Sequence, residues 1–367
     1  MSMAITVALM VLSVACKQSG SNSPKKESET LVYDSDVMDA LLPFEDDEGV
    51  IGFIDKLGEI VIEANYYNIS RDESVNNHGY LRVFCDGLAA VRIDDEEYDE
   101  EWGYINRKGK MVIPAEFNRA KAFSEGMAVV GKRDKDEDIK YGYINKDGEM
   151  VVSARYDRAY PFSNGLALVV NYDKDWKATY YYIDKKGEKV IEPEVDDASS
   201  FSDGLALVDV DDKWGFIDKK GNYVIQPIYH DANLFSEGLA AVKDKDVWGF
   251  IDNEGNMVIS PKYEYATIFS EGLAAVQDED GCGFIDKKGN VVIKCKYEVV
   301  GPFSDGLAAV YEDGEYGFID KEGNMVISPK YKYVYSFWNG VAYVYADGKA
   351  SYIDKKGNVI KSFDIKD

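Results

Sequence analysis

The sequence predicts an all-β protein built from tandem 34–39-residue β-meander repeats. Two patterns indicate this fold: a turn of the form I-[DN]-x-x-G occurs nine times, and a box of the form F-x-x-G-[LMV]-A occurs eight times, in fixed order. Successive turn glycines are 51, 39 and 39 residues apart and then 34 residues apart five times. A fixed period of this length is typical of repeat proteins, whose units bury their apolar faces against their neighbours.

Both patterns place the same residue types at equivalent positions of every unit. The turn glycines are Gly58, Gly109, Gly148, Gly187, Gly221, Gly255, Gly289, Gly323 and Gly357. The isoleucines four residues before them are Ile54, Ile105, Ile144, Ile183, Ile217, Ile251, Ile285, Ile319 and Ile353. The boxes begin at Phe84, Phe123, Phe162, Phe201, Phe235, Phe269, Phe303 and Phe337.

The chain opens with a segment that differs from the repeats. Residues 4–15 form an apolar run of about 12 residues, which is short for a membrane helix of about 20 but normal for the core of a signal peptide. The run ends at Cys16, and a Ser- and Lys-rich stretch follows. We expect a signal peptide at 1–15, a lipidated cysteine and flexible tether at 16–30, and a repeat domain of about nine units at 31–367.

This opening resembles a bacterial lipoprotein signal, which implies lipidation of Cys16 and an exported protein anchored to the outer membrane or cell surface. It departs from the usual pattern in two ways. No Lys or Arg precedes Cys16, and Ser13 occupies a position where Leu is more usual. The alternative is an ordinary cleavable signal that happens to be followed by a cysteine.

One unit, Glu237 to Tyr263, illustrates the expected local structure. The GLAAV segment lacks alternation, so both of its faces should be buried. The WGFID segment alternates, with Trp248, Phe250 and Asp252 on one side. The D-x-x-G turn closes a hairpin, NMVI is the return strand, and the proline of SPKY is expected to end that strand. A unit is therefore a meander of three or four strands that is too small to be stable alone.

The longer units carry five extra residues, always between the GLA segment and the following aromatic-Gly pair. Insertions that recur at one position indicate an exposed loop on the same face of every unit.

These features resemble the WG-containing (KWG) repeat family, and the resemblance covers Ile51 to about Phe363. The family implies a β-repeat fold but no single biochemical activity. The WG pair is literal at Trp102-Gly103, Trp214-Gly215 and Trp248-Gly249, and varies at Ile51-Gly52, Tyr141-Gly142, Cys282-Gly283 and Tyr316-Gly317. It is lost at Tyr180-Tyr181 and Ala350-Ser351.

Two arrangements of the units fit the pattern. The first is propeller-like, with GLAAV as the inner strand and a further partial unit at Leu31 to Phe44. The second is an open superhelical array held together by nearest-neighbour contacts. We favour the propeller-like arrangement.

Composition limits the chemistry. The net charge of −25 and a pI of about 4.5 disfavour nucleic acid and anionic lipid surfaces as partners. The chain has two histidines, His78 and His230, and no phosphate-binding loop, nucleophile elbow or Cys/His metal spacing. We predict no enzyme activity and no catalytic, cofactor-binding or metal residues.

Three clusters have alternative interpretations. Acidic loops such as Asp134 to Asp138 are interpreted as solvated hairpin tips, with a calcium loop as the alternative. Tyrosines of the connectors, at 156, 160, 263, 265, 331, 333 and 335, are interpreted as an inter-unit aromatic ladder, with glycan stacking as the alternative. Cys282 and Cys295 are diagonal neighbours, which favours buried free thiols over a disulfide.

We therefore predict an envelope binding or scaffold protein that recognises a protein or other macromolecule through a broad repeat-built surface. The alternative is a glycan-binding or glycan-processing surface lipoprotein. An active site would interrupt the repeat, and the irregular stretch Ser70 to Tyr80, with Asp72, Glu73 and His78, is the first place to look for one.

Overall fold

The computed structural model describes residues 41–46, 48–70, 83–94 and 100–364. This part of the chain forms 35 β-strands and no helix. The strands make nine small antiparallel sheets, which are the blades of a nine-bladed β-propeller. The predicted all-β repeat fold is confirmed.

The blades follow one another in chain order. Blade 1 contains β1 (Leu42–Glu45), β2 (Ile51–Ile54) and β3 (Ile60–Tyr66), and blade 2 contains β4 (Asn68–Ile69), β5 (Leu88–Asp94), β6 (Glu100–Asn106) and β7 (Met111–Phe117). Blade 3 contains β8 (Arg119–Ala120), β9 (Met127–Arg133), β10 (Ile139–Asn145) and β11 (Met150–Tyr156). Blade 4 contains β12 (Arg158–Ala159), β13 (Ala167–Tyr172), β14 (Ala178–Ile183) and β15 (Lys189–Ile191). Blade 5 contains β16 (Asp197–Ala198), β17 (Ala206–Val210), β18 (Lys213–Ile217) and β19 (Tyr223–Tyr229).

The remaining four blades repeat this plan. Blade 6 contains β20 (Asp231–Ala232), β21 (Leu239–Asp244), β22 (Val247–Asp252) and β23 (Met257–Tyr263). Blade 7 contains β24 (Tyr265–Ala266), β25 (Leu273–Asp278), β26 (Gly281–Asp286) and β27 (Val291–Tyr297). Blade 8 contains β28 (Val299–Val300), β29 (Ala308–Glu312), β30 (Glu315–Ile319) and β31 (Met325–Tyr331). Blade 9 contains β32 (Tyr333–Val334), β33 (Val341–Ala346), β34 (Lys349–Asp354) and β35 (Val359–Asp364).

Two predictions about single strands are wrong. The GLAAV strand is the second of four and not the inner one, because a two-residue strand pairs with its free edge in blades 2–9. The SPKY segment does not end the return strand: β23 runs through Pro261 to Tyr263. Proline is tolerated here because it lies in the outer edge strand, beside a register shift between the Trp248 and Phe250 pairs.

Each blade is an antiparallel meander, so its loops alternate between two ends of the sheet. The FSxG turns and the D-x-x-G turns lie at one end, which we call the turn face. The hairpins between second and third strands, and the connectors between blades, lie at the other end, which we call the hairpin face. The five-residue insertions fall in these hairpins, as predicted, for example between Arg133 and Ile139.

The core lies between the blades. The GLAAV strands are buried on both sides, as expected, and Phe250 and Ile251 are both buried, so the WGFID strand is also covered on both faces. An aromatic ring on the third strand of blades 2–8, and on β2 of blade 1, packs edge-on or tilted against the FSxG phenylalanine of the next blade, with ring centroids 4.7–5.2 Å apart. This contact, illustrated by Phe250 and Phe269, repeats around the ring and contributes roughly 0.5–1.5 kcal/mol per pair beyond area burial.

The turn face carries hydrogen bonds from blade to blade. The Ser236 hydroxyl donates to the Phe269 carbonyl of the next blade at 2.7 Å, and five further serines of the box make the same bond. The carboxylate of Glu237 accepts from the N–H of Gly272 in the next blade at 3.0 Å, and Lys287 of that blade forms an ion pair with Glu237 at 3.1 Å. The FSxG box therefore bonds each blade to the next one.

The ring is closed between blade 9 and blade 1. Leu42 and Ile54 of blade 1 form one buried cluster with Val341 and Tyr352 of blade 9. The turn glycine Gly58 packs on the backbone of β35, just as Gly255 packs on Ile225 of the blade before it. The alternative of an open superhelical array is therefore wrong.

Candidate binding surface

The nine acidic or amide residues that begin the D-x-x-G turns have a structural role. Asp252 Oδ1 accepts hydrogen bonds from the N–H groups of Glu254 at 3.0 Å and Asn256 at 2.8 Å. Oδ1 of each of the other eight residues accepts the same pair of bonds: Asp55, Asn106, Asn145, Asp184, Asp218, Asp286, Asp320 and Asp354. Oδ1 of each of these nine side chains is occupied by the turn backbone, as the sequence predicts.

The acidic loop Asp134 to Asp138 is built in the same way. Asp134 Oδ1 accepts from the N–H groups of Asp136 at 2.8 Å and Asp138 at 3.1 Å. The alternate acidic residues are thus the tip of an exposed hairpin. Across residues 41–364 as described, no group of three or more His, Cys, Asp or Glu side chains is arranged to hold a metal ion.

Other singled-out residues are also explained by packing. His230 Nδ1 accepts from the N–H of Lys245 at 3.1 Å and caps a hairpin. Tyr156, Tyr263 and Tyr331 are buried between blades, in line with an aromatic ladder, while Tyr333 is 67% exposed.

Cys282 and Cys295 are free thiols, as expected, but both are half-buried and not fully buried. Burial is the main cause that raises the pKa of both thiols, that of Cys295 to about 12. Neither thiol is therefore a reactive thiolate at neutral pH.

Several predicted features lie outside the described residues. These are Cys16 with the signal and tether segments, and most of the irregular stretch from Ser70 to Tyr80, including Asp72, Glu73 and His78. Within the part of the chain that the structure describes, no helix is long and apolar enough to cross a membrane.

The outer strand of blade 4 is interrupted. In blade 6 the outer strand pairs at three positions, Ile251 with Met257, Phe250 with Ile259 and Trp248 with Tyr263. In blade 4 the equivalent strand, β15, has three residues instead of seven, and pairing stops after Ile183 with Lys189 and Tyr182 with Ile191. The third pair, which would join Tyr180 to Val195, is absent.

The cause is the residue that replaces the glycine of the WG pair. At Gly249 an added Cβ would lie 2.5 Å from the carbonyl oxygen of Ile259, because the bulged outer strand approaches the third strand closely. Blade 4 has Tyr181 at this position, so its outer strand cannot approach the third strand, β14, as closely as the outer strand of blade 6 approaches β22. Blade 9 has Ser351 there and avoids the clash differently, because β35 pairs Ser351 directly with Ser362.

The interruption leaves backbone groups of β14 without strand partners. The Val170 carbonyl accepts a hydrogen bond from Asp157, on the β12 side, so its pairing with Tyr180 is a non-hydrogen-bonded one. The N–H and C=O of Tyr180, and by alternation those of Ala178, therefore face the missing outer strand. No backbone hydrogen bond joins these two residues to the segment Glu192–Asp196.

A cleft of about 650 Å³ occupies the space that the outer strand leaves. We call it the blade 4 cleft. It lies at the hairpin face and is lined by Lys177, Ala178, Thr179, Tyr180, Glu192, Pro193, Glu194, Val195, Asp196, Val210 and Asp211. Four of these residues are acidic and one is basic.

Further carboxylates increase the negative charge beside the cleft. Asp197 lies directly opposite Asp209 in the first two strands of blade 5. Desolvation, followed by the nearby charges of Asp212 and Asp196, raises the pKa of Asp209, and its Oδ1 is buried without a hydrogen-bond partner. Desolvation and then Asp197 raise the pKa of Tyr180 to about 12, so the phenol stays protonated and donates to the Asp196 carbonyl at 3.0 Å.

An exposed tryptophan stands next to the cleft. Trp176, at the tip of the β13–β14 hairpin, is 81% exposed and lies 6.0 Å from the Tyr172 ring. It directly precedes Lys177, which lines the cleft. Exposed aromatic side chains of this kind are common anchors in protein interfaces.

The family model for the WG containing repeat matches this chain eight times. The matched ranges are residues 51–96, 102–135, 141–174, 182–214, 214–247, 248–282, 283–316 and 316–349. The chain belongs to the WG-containing repeat family. Each matched range runs from one blade into the next, because the motif starts within β2 of blade 1 and within the third strand of blades 2–8. The WG glycine is thus the family residue whose loss opens blade 4. None of the curated proteins matches the chain.

Solved structures share only a general likeness with this WG-repeat protein. A KlHsv2 variant with loop 6CD replaced by a Gly-Ser linker is 10% identical, with a TM-score of 0.40, over 65% of this chain and 95% of that one. A eukaryotic initiation factor is 10% identical, with a TM-score of 0.42, over 88% and 95%. The extracellular domain of BT4673 from B. thetaiotaomicron is 8% identical, with a TM-score of 0.31, over 89% and 60%.

Sequence reasoning missed the blade 4 cleft, although two signals for it are present. The WG pair is replaced by Tyr180-Tyr181, and the segment that reads SPKY in blades 6 and 8 reads EPEV in blade 4. Together they mark a blade whose third and fourth strands do not fit one another.

Proposed function

We propose that this protein is an exported, lipid-anchored binding protein that serves as a scaffold in the bacterial cell envelope and carries out no catalysis. Its partner is a protein or another macromolecule that docks on the hairpin face. The apolar segment ending at Cys16 supports the anchor, and the Ser- and Lys-rich stretch after it supports a flexible connection to the propeller.

The observation that carries the binding role is the blade 4 cleft. The WG repeats make most of the surface uniform, and at this one blade the outer pairing stops and leaves a cleft of about 650 Å³ beside an exposed tryptophan. Clefts with a few convergent polar groups are the usual location of binding sites. The turn face, in contrast, is occupied by hydrogen bonds between blades.

The glycan-binding alternative needs exposed aromatic faces in a groove. Of the seven connector tyrosines, three are buried in the blade interfaces (Tyr156, Tyr263 and Tyr331) and three are half-buried (Tyr160, Tyr265 and Tyr335). This leaves only Tyr333 fully exposed to stack on a sugar. A protein partner therefore has the better support.

The binding role is tested by crosslinking in intact cells that express the full chain, followed by mapping of the crosslinked residues. We expect crosslinks to one partner that concentrate on the hairpin face. Crosslinks spread evenly over both faces, or a glycan array that gives strong signals for the full chain, would contradict the proposal.

The anchor is tested separately by metabolic labelling with a clickable fatty acid. We expect the wild-type chain to be labelled and fractionated with membranes, and the Cys16→Ser variant to lose both properties. Equal labelling of the two chains would show that Cys16 carries no lipid.

A further inference from the structure

The open edge of β14 presents the groups that an incoming strand needs. Ala178 and Tyr180 each turn an N–H and a C=O toward the cleft, and β15 does not reach them. In the other blades the position of Tyr180 is covered by the outer strand, as at Trp248 with Tyr263. An extended peptide that enters the cleft can complete the ladder by strand addition.

The walls of the cleft determine the charge of that peptide. Glu192, Glu194, Asp196 and Asp211 line it, opposed only by Lys177 among the lining residues. One oxygen of Asp196 accepts from the N–H of Asp211 at 2.9 Å. Glu192 Oε2 accepts from Lys189 Nζ at 2.8 Å. The other carboxylate oxygens of these four residues form a negative rim that favours Lys or Arg side chains.

Trp176 adds an anchor next to the cleft. Its ring is exposed at the hairpin tip immediately before Lys177. A cationic or aliphatic side chain of the peptide can pack on this ring.

We propose that the blade 4 cleft binds an extended, Lys- or Arg-bearing segment of a partner protein, which adds as an outer strand to β14. This inference rests on the proposed binding function and specifies its site and its ligand. The peptide backbone forms two to four hydrogen bonds with the N–H and C=O groups of Ala178 and Tyr180. Its basic side chains form ion pairs with the acidic residues that line the cleft.

The test uses fluorescence anisotropy with the full chain and a labelled peptide that alternates valine and lysine. Two control peptides are matched in length: one replaces lysine by glutamate, and the other is N-methylated at alternate residues, which keeps the charge but removes the strand donors. Loss of about two hydrogen bonds should weaken binding by about ten- to thirtyfold. Equal binding of the lysine peptide and its N-methylated form would overturn strand addition.

Two protein variants separate the cleft from general attraction to an acidic surface. Glu192→Gln with Glu194→Gln removes two charges from the cleft, and Glu279→Gln with Glu315→Gln removes two exposed charges from hairpins of blades 7 and 8. We expect the first pair to weaken binding by about tenfold and the second to have little effect at about 150 mM salt. Equal losses would overturn the proposed site.

A double variant designed to close the cleft provides a third test of the proposal. Tyr181→Gly with Val195→Tyr restores the residues that blade 6 has at Gly249 and Tyr263, so the outer strand can pair with β14 and should abolish peptide binding. Circular dichroism checks that this variant folds. If it does not fold, the two Glu→Gln pairs and the N-methylated peptide still decide the question.

The failure of this inference can be distinguished from failure of the proposed function. Absence of peptide binding together with crosslinks to a partner elsewhere on the hairpin face would overturn the cleft and leave the binding function in place. Absence of both would overturn the two proposals together.

Discussion

The Tyr352 hydroxyl donates a 2.6 Å hydrogen bond to the carbonyl of Pro43, which is 309 residues away in the sequence. Tyr104, Tyr143 and Tyr182 occupy the same position in blades 2, 3 and 4, and each donates to a carbonyl in the following blade. Blade 1 therefore takes the place of the following blade for blade 9. The first and last units are joined by the same type of bond that joins neighbours.

Loss of this closing bond should destabilise the ring. Tyr352→Phe removes the donor and leaves the buried Pro43 carbonyl without this partner, which costs about 1–3 kcal/mol. Urea unfolding at 25 °C measures the change in the free energy of unfolding. Tyr182→Phe is the control, since it removes the equivalent bond to Ser199 within the ring. A negligible effect of Tyr352→Phe beside a clear effect of Tyr182→Phe would indicate that the ring is not closed in solution.

The serine of the FSxG box should contribute to stability in each blade that has it. Ser236→Ala removes the hydroxyl that donates to the Phe269 carbonyl at 2.7 Å, in a buried environment, and should cost about 1–3 kcal/mol. Ser260→Ala, at an exposed position of β23, is the matched control and should change stability by less than about 0.5 kcal/mol. Similar values for the two variants would argue against the inter-blade role of the box.

Acidification should weaken the D-x-x-G turns. The side-chain amides of Asn256, Asn290 and Asn324 donate to Asp252, Asp286 and Asp320 and lower the pKa of each carboxyl. Because the folded-state pKa is below the unfolded value of about 3.9, this stabilisation is present above that value and is lost as the pH falls through the folded-state pKa.

The turn at Asp252 allows a specific test of this effect. Asp252→Asn keeps the Oδ1 acceptor, as Asn106 and Asn145 do naturally, but removes the titrating group. The difference in urea midpoint between pH 7 and pH 3 should be smaller for this variant than for the wild type. An unchanged difference would show that Asp252 does not contribute to acid sensitivity.

The desolvated carboxylate of Asp209 should oppose folding at neutral pH. Asp209→Asn removes the desolvated charge whose carboxyl has a raised pKa, so the variant should melt at a higher temperature than the wild type at pH 7. Because the folded-state pKa of Asp209 is raised, the free-energy cost of its charge appears as the pH rises above the unfolded-state pKa. The stability gain of the variant should therefore vanish near pH 3, where Asp209 is protonated in both the folded and the unfolded state. A melting temperature that falls at pH 7 would contradict this account.

Much of the fold follows from the sequence because its determinants are local. The turn at Asp252 needs only residues up to Asn256, and the burial of the GLAAV strand follows from its lack of alternation. The family period then repeats this information nine times. The role of the FSxG serine could not be read from one unit, since Ser236 acts on Phe269 of the next blade.

Other features depend on contacts that the sequence pattern does not contain. A two-residue strand such as Tyr265–Ala266 is too short to show periodicity. The sequence pattern therefore predicts GLAAV as the inner strand of each blade, and this prediction is wrong because the two-residue strand lies inside it. Pro261 continues the strand because the bulge and the sheet edge accommodate it. The effect of Tyr181 depends on how closely the outer strand approaches, which only the three-dimensional structure reveals.

Amide hydrogen exchange at Tyr180 tests most directly the claim that Tyr181 opens blade 4. The Tyr180 N–H faces the cleft without a strand partner, whereas Trp214 and Trp248 at the same position pair with Tyr229 and Tyr263. We expect the Tyr180 amide to exchange at least about 100-fold faster than those of the two tryptophans. Equal protection of the three amides would mean that the outer strand of blade 4 is closed, and the cleft would not exist.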